Sequence, residues 1–322
     1  GQYCGVDSTT AVSNGAQVMY MVTVVLIGLA MGTTVLTARA IGAKDPVRTR
    51  AVVGNTVTMF ALIAVVLMVV LLCLRGWIVG VMDTPAEALN GMEHYLTICF
   101  IGIPFIIAYN IIASIFRGLG DSKSPMYFVA VACVVNIILD YFFIGVLELG
   151  AMGAALGTTL SQAASVLFAL CYIRRHKGML DIGRSDLRPQ RDVIKLILKI
   201  GLPIAIQDGF IQISFLAITV IANGRGLVDA AAVGIVEKFI GLVFIVPSAM
   251  LSTVSAISAQ NIGANKMPRA KQTLRTAMLI TSVYGLVVSI TLQFIPQVAV
   301  GLFTSDSQVL AQGSDYLRGY VW

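Results

Sequence analysis

Long apolar runs constrain this sequence more than any other feature. Eight such runs lie at roughly residues 16–39, 52–81, 92–116, 125–147, 152–173, 194–223, 230–262 and 273–303, and a ninth begins near Val309. A helix of about 20 apolar residues crosses the hydrocarbon core of a bilayer. Only 12% of the 322 residues are charged, about half the share found in soluble domains. We therefore predict an all-α polytopic membrane protein.

Basic residues predict the orientation of these helices. Eighteen of the 22 Lys and Arg residues lie in alternate linkers, at 39–50, 117–123, 174–199 and 266–275. Because linkers rich in Lys and Arg stay in the cytoplasm, these four linkers are expected there. Residues 177–191 should accordingly be cytoplasmic, and residues 83–90 should lie outside.

The sequence also repeats itself with an offset of 221 residues. The pattern Ala-x-x-Ile-Gly-Ala at 38–43 recurs at 259–264, and Tyr95-Leu96 recurs as Tyr316-Leu317. Six spans fit within this period. Because six is even, the two copies have the same orientation, which is a parallel repeat.

The repeat predicts a protein longer than this chain. The counterpart of the span at 194–223 would precede Gly1, and later counterparts would follow Trp322. We predict two parallel six-helix repeats, with spans two to nine and part of ten present here. The expected divisions are a first lobe at 1–178 (spans two to six), a basic cytoplasmic linker at 179–192, and a second lobe at 193–322.

Asp140 is the residue in these spans that most strongly indicates chemistry. It lies in the run at 125–147, and Asn136 lies four residues earlier on the same helix face. An ionisable group in a spanning helix is costly and usually faces a bundle interior or an ion path. The pair either locks helix packing through a hydrogen bond or binds a proton or Na⁺.

Two further acids lie within later spans. Asp208 follows Pro203 by five residues, and Pro203 interrupts the backbone hydrogen bonds of its helix. Asp208 either pairs with a base near the end of its helix or serves transport. Glu237, beside Lys238, either attracts a cationic substrate or forms an ion pair at a helix interface.

Several motifs in this order resemble the multidrug and toxic compound extrusion (MATE) family, and most closely its DNA-damage-inducible-protein-F-like bacterial branch. The motifs are Arg-Gly-Leu-Gly-Asp-Ser-Lys-Ser-Pro at 117–125, Asn136 followed by Asp140, Ala-Ile-Gly-Ala at 40–43 and Gly-Leu-Pro-Ile at 201–204. The resemblance implies two lobes around a central cleft, and export of organic cations against an inward flow of H⁺ or Na⁺. It also implies a cation site of Asn136, Asp140 and Thr158.

Other functions fit the sequence less well than an antiporter does. A flippase of lipid-linked oligosaccharide needs several bases for a pyrophosphate, and Lys238 is the base found inside a span. An intramembrane enzyme needs a nucleophile–base pair or a metal cluster, for which the spans show no pattern, and a channel fits the repeat less well. We expect no catalytic site, metal site or cofactor, small organic cations and membrane lipids as partners, no nucleic acid, a monomer, and the bacterial inner membrane as the location.

Overall fold

Helices make up most of the part of the chain that the structure describes. The computed structural model describes residues 6–82, 86–176, 182–304 and 306–321, so the predictions for residues 83–85 and 177–181 lie outside it. The α-helices are α1 Val6–Gly42, α2 Pro46–Val81, α3 Ala86–Ile101, α4 Ile103–Leu119, α5 Lys123–Asp140, α6 Gly150–Arg175, α7 Arg191–Arg225, α8 Leu227–Val243, α9 Ile245–Gly263, α10 Met267–Phe294, α11 Pro296–Gly301 and α12 Ser307–Tyr320.

The predicted spans are confirmed. Within the described residues, seven stretches are long and apolar enough to cross a membrane, and α3 with α4 forms an eighth that bends by 48°. The bend falls at Gly102, just before Pro104 at the start of α4, where a proline is tolerated in the first turn of a helix. The eighth predicted run ends early, at Phe294, because Pro296 begins a new helix.

The chain forms two compact units, Gly1–Asp208 and Gly209–Trp322. In the first unit, α1 packs along α3 and α4, and α5 packs along α6. Phe60, Phe100 and Leu96 are fully buried in its core. In the second unit, α9 packs along α10 and α8 along α12. The lobe boundaries expected from the sequence remain a prediction for the intact protein.

The internal repeat is visible in the backbone. Helices α1 and α9 end at Gly42 and Gly263, and the helices that follow, α2 and α10, each begin four residues later. The turns between them contain Lys44 and Asn265, with φ of 54° and 56°. A non-glycine residue with positive φ is uncommon, so its presence at both repeat-related positions indicates that the two turns share one geometry.

The two copies differ where the second carries prolines. Helix α1 is continuous, but its counterpart divides into α8 and α9 at Phe244, three residues before Pro247. Helix α2 is also continuous, whereas its counterpart breaks at Ile295, directly before Pro296. Proline lacks a backbone N–H and disfavours a helical conformation in the preceding residue, which accounts for both breaks.

The first half of α7 packs closely on α1 within the first unit. A Cβ atom at Gly32 would overlap the carbonyl oxygen of Ile197, and one at Gly201 would overlap the carbonyl oxygen of Leu29. Ile197 is fully buried. Small residues allow helix backbones to approach closely and gain dispersion contacts in a membrane protein. We call this contact the α1–α7 seam.

The linker before α7 is attached to α2. The hydroxyl of Thr58 donates to the Leu187 carbonyl oxygen at 2.7 Å. The backbone N–H of Gln190 donates to Asn55 Oδ1 at 2.5 Å, and Asn55 is fully buried. The polar side chains of α2 therefore hold the linker against this helix through its backbone groups.

The loop between α4 and α5 explains part of the motif at 117–125. Gly120 ends α4 in a left-handed conformation, with φ of 88°, as glycine commonly does after a helix. Asp121 then accepts hydrogen bonds from the backbone N–H groups of Lys123 and Ser124 and from the Ser124 hydroxyl. Partial burial of Asp121 opposes its charged form, but these hydrogen bonds outweigh it and lower the pKa of Asp121.

Candidate functional site

Asp140 lies where its helix changes form. Helix α5 ends at Asp140, and residues Tyr141–Val146 continue as a π-helical turn. In a π-helix each N–H bonds to the carbonyl five residues earlier, so the turn is wider than in an α-helix, and such turns are frequent at functional sites. A change of backbone form directly after an intramembrane carboxylate gives this position a geometry that a regular helix lacks.

Asn136 and Asp140 contact each other as their spacing predicts. The side-chain amide of Asn136 donates to Asp140 Oδ1 at 3.4 Å, and both side chains are half-buried. Among the described residues, no Lys, Arg or His lies within ion-pair distance of Asp140. The carboxylate therefore keeps coordination capacity for a cation or a proton.

Helix α6 lies against this carboxylate. A Cβ atom at Gly157 would overlap Asp140 Oδ1, so the missing side chain is what lets the carboxylate lie on the α6 backbone. Thr158 is the next residue, and its carbonyl accepts a hydrogen bond from Ser161. In the described part of the chain its hydroxyl makes no hydrogen bond to Asp140. The role of Thr158 therefore stays a prediction. The turn of α6 that contains Thr158 does lie beside Asp140.

Tyr95 is a site residue that sequence reasoning did not identify as one. It is 5% exposed, and it lies near Cys99 of the next helical turn and within electrostatic range of Asp140. The available signal was the repeat itself, since Tyr95-Leu96 and Tyr316-Leu317 are related by the 221-residue offset.

Asp208 lies against α1 rather than beside a base. A Cβ atom at Gly28 would fall 2.8 Å from Asp208 Oδ2 and equally close to the backbone of Ala205. Asp208 is half-buried and has no ion-pair partner among the residues that the structure describes. The alternative in which Asp208 pairs with a base is therefore not the arrangement seen here.

Glu237 belongs to a polar cluster in the second unit. Thr219 donates to its Oε1 at 3.3 Å, and Tyr316 and Tyr320 lie near enough to interact with its charge. The adjacent Lys238 is exposed, and neighbouring side chains of a helix project about 100° apart. No described base forms an ion pair with Glu237, so the alternative of an interfacial ion pair is not formed within the described part of the chain.

Each unit therefore contains an acid inside a spanning helix, near the tyrosine of its own repeat. Asp140 is near Tyr95, and Glu237 is near Tyr316, the counterpart of Tyr95. Unpaired acids within spans mark ion or substrate pathways, and parallel repeats of spanning helices are an architecture of secondary transporters. These features define the chain as a multi-pass membrane transport protein.

Comparison with known proteins identifies the family. The profile of the MatE family matches residues 1–142 and 203–322. "Probable multidrug resistance protein YoeA" of Bacillus subtilis is 31% identical over the whole of this chain, which covers 71% of that protein. "Multidrug export protein MepA" of Staphylococcus aureus is 26% identical over 91% of this chain and 64% of its own length. The chain belongs to the MatE family. The two relatives are named as a bacterial multidrug resistance protein and a bacterial multidrug export protein, and the apolar helices of this chain indicate a multi-pass membrane protein.

Solved structures share the fold. One is described as the outward-facing conformation of a multidrug resistance MATE family transporter of the MOP superfamily, with a TM-score of 0.87 at 24% identity, covering 98% of this chain and 71% of that one. Another, described as MATE in complex with MaL6, has a TM-score of 0.86 with the same identity and coverage. The all-helical polytopic fold predicted from the sequence is confirmed.

Proposed function

We propose that the intact protein is an antiporter that exports organic cations in exchange for H⁺ or Na⁺. The observation that carries this proposal is the Asp140 carboxylate, which has no ion-pair partner among the described residues and lies inside a spanning helix at the start of a π-helical turn. The names of the relatives YoeA and MepA, which refer to multidrug resistance and export, support a drug-like substrate.

Asp140, Asn136 and Thr158 form the proposed coupling site. A carboxylate alone suffices for a proton, whereas Na⁺ prefers several oxygen ligands. The amide of Asn136 turns its nitrogen toward Asp140, and rotating that amide by 180° would present its oxygen instead. The two orientations are nearly indistinguishable by shape. Thr158 directly follows Gly157, the residue whose backbone lies against Asp140. Its hydroxyl would add a further oxygen ligand for a cation held by Asp140 and Asn136.

Binding of the coupling ion would change the conformational equilibrium of the transporter. A ligand shifts such an equilibrium only as far as its affinities for the two states differ. Because Asp140 follows Asn136 within α5 and lies against Gly157 of α6, a cation here holds these two helices together. A rearrangement of α5 against α6 would open the site and release the ion.

Asp208 and Glu237 supply the negative charge proposed for substrate recognition. Both are half-buried acids inside spanning helices, and a carboxylate away from bulk water attracts cations strongly. A flippase for a lipid pyrophosphate would instead need clustered bases. Lys238, which is exposed, is the single base that directly adjoins Glu237 in the described part of its helix.

The proposal is tested by Asp140→Asn in the intact protein. The variant keeps the size and hydrogen-bonding ability of the side chain but removes its charge, and a neutral amide is less costly to insert into a membrane. We expect wild-type amounts of membrane protein, loss of dye efflux driven by a pH or Na⁺ gradient, and retained dye binding. Asn136→Ala should give a milder defect of the same kind.

Two measurements separate coupling from packing. Efflux is normalised to membrane protein, and dye binding is measured on purified protein. Wild-type gradient-driven efflux by Asp140→Asn would refute the proposed site. Joint loss of expression, binding and transport would instead make the Asn136–Asp140 pair a packing contact. Imposing the pH and Na⁺ gradients separately identifies the coupling ion.

A further inference from the structure

The exposed apolar surface of α2 indicates where the hydrocarbon core of the membrane begins and ends. Exposed apolar side chains recur along this helix from Val57 to Trp77. Trp77 follows Val57 by 20 residues, which is about 30 Å at 1.5 Å per residue and matches the thickness of the hydrocarbon core. Because tryptophan is enriched at membrane interfaces, Trp77 marks one boundary of the core, and Val57 lies at the other.

The linker before α7 contacts α2 at the Val57 boundary. Two hydrogen bonds attach residues 187–190 to Asn55 and Thr58. The carbonyl oxygen of Asp186 lies against Gly54, where a Cβ atom would overlap it. All three α2 residues lie within one helical turn of Val57, so the linker is held at the level of the lipid headgroups. Linkers as basic as this one are expected on the cytoplasmic side.

Three arginines lie among these contact points. Arg184, Arg188 and Arg191 are exposed, and none of them forms an ion pair with a described residue. The two acids nearby have other surroundings. Asp186 accepts a hydrogen bond from a backbone N–H of its own loop, and Asp192 lies in the first turn of α7, where the helix dipole favours an acid. The three guanidinium groups are therefore available to an anion from outside the described chain.

The depth of this segment indicates which anion it meets. The side chain of Leu187 is 38% exposed, although its carbonyl oxygen is bonded to α2, so an apolar group lies beside the arginines at the membrane boundary. A guanidinium binds phosphate through paired hydrogen bonds, and basic clusters beside a spanning helix attract anionic lipids. We propose that residues 184–191, which we call the docked linker, bind the phosphate groups of anionic phospholipids in the cytoplasmic leaflet.

A docked segment differs from a simple topology signal. A topology signal requires basic residues in a linker but no particular arrangement of them. Here α2 fixes the backbone on both sides of Arg188, which lies between the residues bonded to Thr58 and Asn55. The entropy of ordering the backbone is therefore lost on folding rather than on lipid binding. Lipid binding at this surface does not depend on the transport chemistry proposed for Asp140.

The first test removes the charge of the docked linker. The intact protein in detergent is mixed with equal amounts of phosphatidylglycerol and phosphatidylcholine, and the lipids that stay bound are counted by native mass spectrometry. We expect the wild type to prefer phosphatidylglycerol. The triple variant Arg184→Gln, Arg188→Gln, Arg191→Gln should lower that preference by about fivefold or more. An unchanged preference in the triple variant, or no preference in the wild type, would overturn the proposal.

A matched variant separates a built site from general attraction between opposite charges. It removes three exposed bases from the other long basic linker that is expected in the cytoplasm, through Lys266→Gln, Arg269→Gln and Lys271→Gln. The loss of charge is the same in both triple variants. We expect this control to keep most of the preference for phosphatidylglycerol. Equal losses in the two triple variants would mean that only net charge matters and would overturn the proposal.

The second test displaces the docked linker and keeps every charge. In Gly54→Ala the new methyl group would overlap the carbonyl oxygen of Asp186, whereas in Gly76→Ala, on the same helix, it would meet nothing within 4 Å. We expect Gly54→Ala to lose most of the preference for phosphatidylglycerol and Gly76→Ala to keep it. A wild-type preference in Gly54→Ala would show that docking on α2 is not required and would overturn the proposed site.

Discussion

The contact between Asp140 and Gly157 allows a sharp test of the proposed coupling site. A methyl group at position 157 would overlap Asp140 Oδ1, and ordinary van der Waals contact begins at 3.4 Å. In Gly157→Ala the carboxylate must therefore move by about 1 to 1.5 Å to reach a normal separation. Its hydrogen bond to Asn136, already 3.4 Å long, would be lost.

The expected effect on folding is small, because two terms oppose each other. Replacing glycine by alanine inside a helix stabilises the helix by roughly 0.5–1 kcal/mol. Crowding in a packed site costs about 1–3 kcal/mol. Cation binding has no such compensation, and a misplacement of about 1 Å at a reacting or binding group reduces function by up to roughly 100-fold.

Cation affinity and gradient-driven dye efflux of the intact protein are the measurements. We expect Gly157→Ala to express normally, to bind the coupling cation about 10- to 100-fold more weakly, and to lose most of its efflux. Gly145→Ala is the control, because its Cβ would make only ordinary contact, at 3.6 Å, with the ring of Tyr141. Wild-type affinity and efflux in Gly157→Ala would refute the placement of the cation at Asp140.

Four further predictions concern the seam, the second unit, the α4–α5 loop and the topology. Gly201→Leu should lower the free energy of unfolding of the intact protein by about 1–3 kcal/mol, because the leucine side chain would enter the α1–α7 seam. Glu237→Gln should weaken export of cationic dyes more than of neutral ones, because it removes a negative charge from an apolar helix. Asp121→Ala should lower the melting temperature more at neutral pH than in acid, because an acid whose pKa is lowered by folding stabilises the native state above its unfolded pKa and loses that effect as the pH falls through its native pKa. An impermeant cysteine reagent added outside intact cells should label residues 83–90 but not residues 177–191.

Matched variants make these predictions decisive. Gly224→Leu controls for the seam, because a Cβ at Gly224 would meet nothing within 4 Å, and equal losses in both variants would contradict the packing argument. Asp229→Asn, an acid that pairs with Arg225 at the helix end, controls for Glu237. Equal loss of cationic and neutral dye export in Glu237→Gln would indicate a folding role. An effect of Asp121→Ala that does not depend on pH would contradict the prediction for the α4–α5 loop. External labelling of residues 177–191 would contradict the predicted topology.

The sequence predicted the spans well because the bilayer imposes a length and polarity that any crossing helix must have. It also predicted the contact between Asn136 and Asp140, since helical spacing alone places them together. The prolines at 247 and 296 account for the breaks in the second copy. These features depend on neighbours along the chain, so they can be read without knowing the tertiary structure.

The rest of the site depends on contacts between helices. Nothing in Tyr-Phe-Phe-Ile-Gly-Val at 141–146 distinguishes a π-helical turn from an α-helical one. The approach of Tyr95 to Asp140, and the closeness of Gly157 to the same carboxylate, follow from the packing of α6 against both α3 and α5. The attachment of the linker to Asn55 likewise joins residues 135 positions apart, a distance over which periodicity carries no information.

The unequal distribution of prolines has a mechanical consequence. Helix α1 is a single rod of 37 residues, about 55 Å long at 1.5 Å per residue. Its counterpart is interrupted at Phe244, because the nitrogen of Pro247 carries no hydrogen to donate to the carbonyl of Val243. We therefore expect the second copy to bend more easily at this point than α1 does at residues 22–24.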